Sequence, residues 1–492
     1  VRRFRRAATV LLALLSVFTM GAGLAVAHML PARLALWRLP SVASRGLAGT
    51  GPVLTPVGDP AGASSAMATD GRSGHTGQAV TAAGLAAALA PMLGRGELGG
   101  HIGAVVDDLS SGQLLLSRDG DSGFAPASTA KLAVAVAALD ALGPAHTFTT
   151  RVVAGSVPSS IVLVGGGDPT LAAGHPPASN YPQPATLASL AGQTARALRA
   201  RGIRAVRLSY DTSLFSGPGL APGWPASYVT TGNVTPIESL EVDQGRLTAS
   251  GAPQDANDPA NYRARTFTPA ADAARAFASF LSGDGITVRG AAGQAAAPHG
   301  AATVAAVSSP PLAEIVGWML TQSNNVIAEN LARQIAVATG RPASFSGAAA
   351  AETAVLRKLG IRGGIRLVDG SGLSPLDRIT PDALVQLIRL ASSASQPNLR
   401  PVITGLPVAG FSGTLAPGGS VFPDVGQAGL GVVRAKTGNL VTVVSLAGIA
   451  QARDGQLFAF AFMADRLASG GLDSGAADLT SLATALAGCG CN

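Results

Sequence analysis

Residues Ala130 to Leu142 are strongly apolar and alanine-rich, so they read as a helix that must be packed on nearly every side, and Ser128-Thr129-Ala130-Lys131 sits where it starts. Side chains three residues apart share a helical face, which lets the Lys131 amine approach the Ser128 hydroxyl. The first helical turn also leaves backbone N–H groups free where negative charge would develop. Taken alone, the same four residues describe a serine cap followed by a solvent lysine.

Lysine usage changes that balance. Lys131, Lys358 and Lys436 are the chain's three lysines, and positive charge is otherwise carried by arginine. Arginine cannot accept a proton at ordinary pH, whereas a buried lysine can be tuned toward the working range, so a chemical need for an amine explains the exceptions. Ser323 and Asn325, in Leu320-Thr-Gln-Ser-Asn-Asn-Val-Ile-Ala-Glu329, precede a helix and are either caps or functional groups. Lys436-Thr437-Gly438-Asn439 opens a strand-like stretch, and at a sheet edge it would present an amine, a hydroxyl and bare backbone to an extended ligand.

Such a helix calls for a large core, and the composition supplies one. Apolar residues make up 47% and charged residues 13% of 492 positions, which excludes a charged disordered chain and permits two or three domains. The net charge of +7 is thinly spread and partly due to Arg2, Arg3, Arg5 and Arg6, so no nucleic-acid partner is expected. His28, His75, His101, His146, His175 and His299 never recur at metal-ligand spacing, and no metal is expected. Cys489 and Cys491 are too close in sequence to staple the body; they read as free thiols, a local disulfide or an intermolecular link.

The four arginines precede an uncharged run from Ala7 to Ala27, about 30 Å long if helical. Residues 1–28 are therefore a signal peptide cleaved after Ala27 or a retained membrane anchor, and the protein is exported and extracytoplasmic in either case. Residues 29–76, with scattered Pro, Gly and Ser, read as a flexible linker. The folded body then begins with a helix over Thr81 to Leu93 and two strands, Ile102 to Asp107 and Gly112 to Ser117. Between the first two motifs lie a strand at Ser160 to Val164, a glycine turn at Gly165 to Asp168, a helix at Leu187 to Arg201, a strand at Val206 to Ser209 and a helix at Ala270 to Leu281. Pro222 to Thr235, containing Trp224 and Tyr228, reads as a surface loop. The Gly165 turn lacks the Lys-Ser/Thr of a phosphate loop, so it is taken as a tight turn.

In order and context, Ser128-x-x-Lys131, Ser323-x-Asn325 and Lys436-Thr437-Gly438 resemble the boxes of the serine penicillin-binding proteins. With Gly165-Gly-Gly-Asp-Pro169 and Asp369-Gly-Ser-Gly-Leu-Ser374, the chain resembles the low-molecular-mass class C D-alanyl-D-alanine carboxypeptidase/endopeptidase group of peptidase family S13, over residues 80–480. The resemblance implies an α/β (α+β) transpeptidase fold of the penicillin-binding-protein and β-lactamase type, with an antiparallel sheet flanked by helices. It assigns 77–150 and 300–485 to the catalytic domain, 151–299 to a large insertion and 486–492 to a tail. The 195 residues from Ser128 to Ser323 exceed what a compact β-lactamase needs, which favours the carboxypeptidase.

The mechanism that the resemblance implies needs no cofactor. Ser128 attacks the D-Ala-D-Ala carbonyl of a peptidoglycan stem peptide while Lys131 takes its proton. Ser323 and Lys436 relay that proton to the departing D-alanine, and Asn325 orients the amide. The N–H groups of Ser128 and Asn439 form the oxyanion hole, and Lys436, Thr437 and Gly438 bind the substrate end, with β-lactams as covalent inhibitors of the same serine. D,D-endopeptidase action, a catalytically weak wall-binding protein and a β-lactamase-like hydrolase stand as alternatives, and the oligomeric state is open. Two departures from relatives stand out. Asn439-Leu-Val-Thr442-Val has Thr442 where a glycine is usual, so a different turn or bulge is expected, and Pro375 replaces an arginine that often follows the Asp369 to Ser374 motif.

Overall fold

Helix α1 (Ala82–Leu93) starts where the Thr81 hydroxyl accepts from the Gly84 N–H, and it buries Leu85, Leu89 and Leu93, spaced four residues apart. This is the first element of a computed structural model that describes residues 80–247, 258–418 and 421–491. The signal or anchor over 1–28 and the linker over 29–76 lie outside the described residues. Strand β1 (Ile102–Asp108) is buried along its whole length, so both of its faces are covered. Ala104 and Val106 share a core with the α1 leucines, whereas Val105 points to a second core on the other face. Strand β2 (Leu114–Arg118) follows and starts two residues later than the sequence pattern suggests, because Asp108 caps the turn with bonds to Ser110 and Ser111.

A 3-10 turn at Ala127–Ala130 runs into helix α2 (Lys131–Leu142), in which every residue from Lys131 to Leu139 is buried. The chain then leaves for a second sheet. Its strands are β3 (Thr149–Ala154), β4 (Ser160–Val164), β5 (Ala205–Asp211) and β6 (Thr303–Ser308), in the order β5-β4-β3-β6, with Thr287–Val288 extending it beyond β5. Helix α3 (Leu187–Ala200) makes the crossover that the parallel β4–β5 pair requires. Helix α4 (Pro269–Gly283) packs beside it, and Leu190, Ala195, Phe277 and Leu281 fill a core of their own.

The chain returns through helices α5 (Leu312–Gln322), α6 (Asn325–Ala338), α7 (Phe345–Lys358) and α8 (Pro381–Ser392). Strands β7 (Val433–Leu440), β8 (Val443–Gln451) and β9 (Leu457–Ala464) then complete the first sheet in the order β7-β8-β9-β1-β2, antiparallel throughout. Along β9, Phe458, Phe460 and Phe462 face α1 and the last helix, α9 (Leu472–Gly488), while Ala459, Ala461 and Met463 face α8. Small side chains on that second face let α8 lie close to the sheet.

Four details sharpen the sequence reading. Trp224 does not stand on a surface loop: it is buried, packs edge-on against Phe345 and donates its Nε1–H to Asp369. The second sheet runs from Thr149 to Ser308, while Phe215, Val234 and Ile237 join the helical core around α2 and α6. The turn between β7 and β8 needs no bulge at Thr442, since the register is unbroken from Val433↔Ala450 to Leu440↔Val443. Of the alternatives for Cys489 and Cys491, the structure shows the local disulfide.

The face built from Phe458, Phe460 and Phe462 sets a measurable stability. Replacing the fully buried Phe460 with alanine is expected to cost about 3–5 kcal/mol, read as a lower midpoint in guanidinium chloride unfolding; an unchanged midpoint would contradict this packing.

Candidate active site

Four segments meet at the N-terminal end of α2: the turn carrying Ser128, the α5–α6 junction, the loop from Asp369 to Ser374, and β7. Ser128 lies on the 3-10 turn after Ala127, which is held in the left-handed region at φ 46°. Gly372 explains how the turn is held, because a Cβ there would sit 1.8 Å from the Ala127 carbonyl oxygen.

Lys131 is fully buried one turn further on. Its Nζ lies 2.8 Å from Ser128 Oγ, 2.8 Å from Asn325 Oδ1 and 2.8 Å from the Ser371 carbonyl oxygen. Burial pulls its pKa down to about 7, against the opposing pull of Asp369 and Glu329. A neutral amine keeps two N–H donors and one lone pair. With the donors on Asn325 and Ser371, the lone pair faces the Ser128 hydroxyl, which is the arrangement a general base requires.

Two carboxylates hold the third ligand of that amine. Glu329 on α6 accepts from the N–H groups of Gly370 and Ser371, and burial together with nearby Asp369 pushes its own pKa up. Asp369 accepts from the N–H groups of Gly372 and Ser374 and from Trp224. The loop is therefore tied down on both sides of Ser371.

At the α5–α6 junction the cap of α6 is neither Ser323 nor Asn325. Asn324 fills that position, its Oδ1 accepting from the Ile327 N–H at 3.0 Å. This frees Asn325 to donate through Nδ2 to the Asn233 carbonyl at 2.9 Å while its Oδ1 receives Lys131, so the orientation of the amide is set from both ends. Ser323 closes α5 in the left-handed region at φ 55° and lines the same cleft as Ser128, with its hydroxyl bonded to no described residue.

Strand β7 forms the opposite wall. Val433 and Ala435 bond outward to Ala409 and Pro407, so alternate residues direct their backbone groups to the outer edge, and Thr437 and Asn439 continue that row where the edge is open. Gly438 is required by close approach: a Cβ there would lie 2.2 Å from Ser445 Oγ and 3.0 Å from the Ser128 nitrogen. The Thr437 hydroxyl lies 2.7 Å from that of Thr414. Lys436 is fully buried behind the wall, donating to the Thr437 carbonyl at 2.7 Å rather than opening onto the cleft. Burial and the neighbouring Lys131 push its pKa well below that of an ordinary lysine.

All eight residues singled out from the sequence are thus brought to one place, five of them lining the cleft, with Gly438 against the Ser128 turn and the two lysines behind. Sequence reasoning missed Glu329, the Ser371 carbonyl, Asn233 and Thr414. Glu329 and Ser371 fall inside motifs already quoted, but a backbone carbonyl or a loop anchor carries no compositional mark. A larger groove of about 1450 Å³, lined by Arg389, Arg453 and the Asp108 turn, contains none of these groups.

The comparisons with known proteins bear on the family and the fold. The chain matches the D-Ala-D-Ala carboxypeptidase 3 (S13) family over residues 85–264 and 246–485. A carboxypeptidase of Mycobacterium tuberculosis is 39% identical over 416 residues, spanning 84% of this chain and 85% of its own. The D-alanyl-D-alanine carboxypeptidase of Actinomadura sp. is 31% identical over 425 residues, 72% of this chain and 76% of its own. Penicillin binding protein 4 from Haemophilus influenzae shares the fold, with a TM-score of 0.65 at 24% identity, covering 81% of this chain and 98% of that one. With both halves of the body matched and the three motifs gathered in one cleft, the chain belongs to the D-Ala-D-Ala carboxypeptidase 3 (S13) family.

Proposed function

We propose that this chain is a serine-type D-Ala-D-Ala carboxypeptidase that trims peptidoglycan stem peptides through an acyl-enzyme on Ser128. The observation that carries the reading is the buried Lys131 amine, 2.8 Å from Ser128 Oγ with its other two contacts on fixed acceptors. Ser128 Oγ attacks the carbonyl of the penultimate D-alanine and its proton passes to Lys131 Nζ. The peptide C–N bond then breaks, with the proton delivered to the leaving amine of D-alanine through Ser323, whose hydroxyl is free to relay it. Water completes the cycle by hydrolysing the ester.

Two backbone N–H groups support the tetrahedral oxyanion. Those of Ser128 and Asn439 lie on facing walls, the first on the nucleophile turn and the second on the open edge of β7, and such a donor is worth about 3 kcal/mol in comparable hydrolases. The same edge gives the stem peptide a strand to pair with. The Thr437 and Thr414 hydroxyls are placed to receive the terminal carboxylate, and Lys436 acts from behind the wall through its field. β-Lactams, whose carbonyl and carboxylate mimic that peptide end, acylate Ser128. The substrate lies outside the cytoplasmic membrane, so the enzyme works there; among the described residues no helix is long and apolar enough to cross a membrane.

Intact mass after brief exposure to benzylpenicillin tests the nucleophile. Wild type is expected to gain a persistent one-to-one adduct and Ser128→Ala none, with D-alanine release in the variant lowered by about 10⁴-fold or more. Consumption of the antibiotic without a lasting adduct would instead mark a β-lactamase-like enzyme. Release of D-alanine against cleavage of cross-linked dimers decides between carboxypeptidase and endopeptidase action.

The pH profile tests the base. A raised proton concentration charges Lys131 and removes the lone pair, so acylation is expected to fall about tenfold per pH unit below about 7 and to level off above it. A rate independent of pH between 5 and 7 would remove Lys131 from that role.

A further inference from the structure

Arg265 lies in the long interval between the first two motifs, and nothing in the mechanism above uses it. It is only 5% exposed at the side of the cleft, and its planar fork is spent on the backbone of three separate segments. Nε donates to the Gly232 carbonyl at 2.8 Å, Nη1 to the Gln244 carbonyl at 2.6 Å and Nη2 to the Asn261 carbonyl at 3.3 Å.

Two of those segments touch the second motif directly. The residue after Gly232 is Asn233, whose carbonyl receives Asn325 Nδ2 at 2.9 Å. Gln244 extends its Oε1 to Asn324 Nδ2 at 2.8 Å, on the residue that caps α6. A single guanidinium therefore stands one step behind both contacts that orient Asn324 and Asn325.

The backbone there would not hold its shape unaided. Asp243 and Gln244 are left-handed at φ 51° and 56°, followed by Gly245 at 70°, and Ser323 across the contact is left-handed at 55°. Non-glycine residues keep such angles only where their surroundings over-determine them. Buried Glu241 lies near the guanidinium and ties back to α6, its Oε1 accepting from Asn330 Nδ2 at 3.0 Å.

We propose that Arg265 is a positioning residue for acylation: by gripping the Gly232 and Gln244 carbonyls it holds Asn233 and Gln244 against the second motif and sets how Asn325 meets Lys131. Lysine cannot replace it, because a point charge on a flexible stem does not span three carbonyls in fixed directions. The proposal rests on Ser128 being the acylated serine, and it makes the inserted stretch part of the catalytic apparatus.

The test is benzylpenicillin acylation of the full chain over a range of antibiotic concentrations, which separates the initial binding constant from the acylation rate constant. In Arg265→Met and in Gln244→Leu the rate constant is expected to fall about 10- to 100-fold while binding stays within about twofold, as a misplaced catalytic group predicts. Arg265→Lys should behave like Arg265→Met. A rate constant within threefold of wild type in a folded variant overturns the proposal, and so does a loss confined to binding. Should Arg265→Met fail to fold, Gln244→Leu decides, since it keeps the guanidinium and its carbonyl bonds. Wild type that takes up no antibiotic would overturn the Ser128 reading instead, which keeps the two failures apart.

Discussion

An amine buried beyond the reach of water is the constraint on which this structure turns. Lys131 is at zero exposure, and a lysine there is tolerable only if its hydrogen-bonding capacity is met by fixed groups. Three segments far apart in the chain supply them: Ser128 on its own helix, Asn325 from α6 and the Ser371 carbonyl from the loop before α8. Much of the surrounding architecture serves to keep those three in register. Alanines on one face of β9 let α8, which in turn packs on α2, press close to the sheet, and glycines at 372 and 438 remove the side chains that would push the walls apart.

The long interval between the first two motifs is not peripheral to this arrangement. Side chains at the cap of α6 and along it reach this interval: Asn324 bonds Gln244, Asn330 bonds Glu241, and Gln334 bonds the Gly166 carbonyl at 2.7 Å. The Gly165 turn is tight because Cβ atoms at 165 and 166 would strike the Ser239 and Thr149 carbonyls. Trp224 and Pro222 grip the other catalytic loop, through Asp369 and Ser374. Residues of this interval therefore brace both the second motif and the loop that fixes Lys131.

Much of this was legible in the sequence wherever a residue's type carried its role. Lys131 and Lys436 stood out against an arginine-rich background, and Ser128 stood at the start of a strongly apolar, alanine-rich helix. The α1, α3 and α4 periodicities and the strands at Ile102 and Ser160 followed from simple patterning. Trp224 was misread because a Pro-, Gly- and Thr-rich stretch looks like a surface loop, and its neighbours in space come from α7 and the Asp369 loop, more than a hundred residues away. The cap of α6 was misjudged for a related reason: Ser323, Asn324 and Asn325 are all good caps, and only the junction's left-handed turn decides which of them faces the helix.

The amino-acid sequence by itself determined which chemical groups are present, their order along the chain and the elements that carry them, because composition and periodicity act over a few residues. Only the tertiary structure decided what those groups became. Whether Lys131 is a solvated ammonium or a base depends on burial and on Asn325 and Ser371. Whether Lys436 touches substrate or works from behind depends on which side of β7 is sealed. Backbone carbonyls such as those of Ser371, Asn233 and Gln244 are chemically alike in every residue, so their function exists only once long-range packing has put them in place.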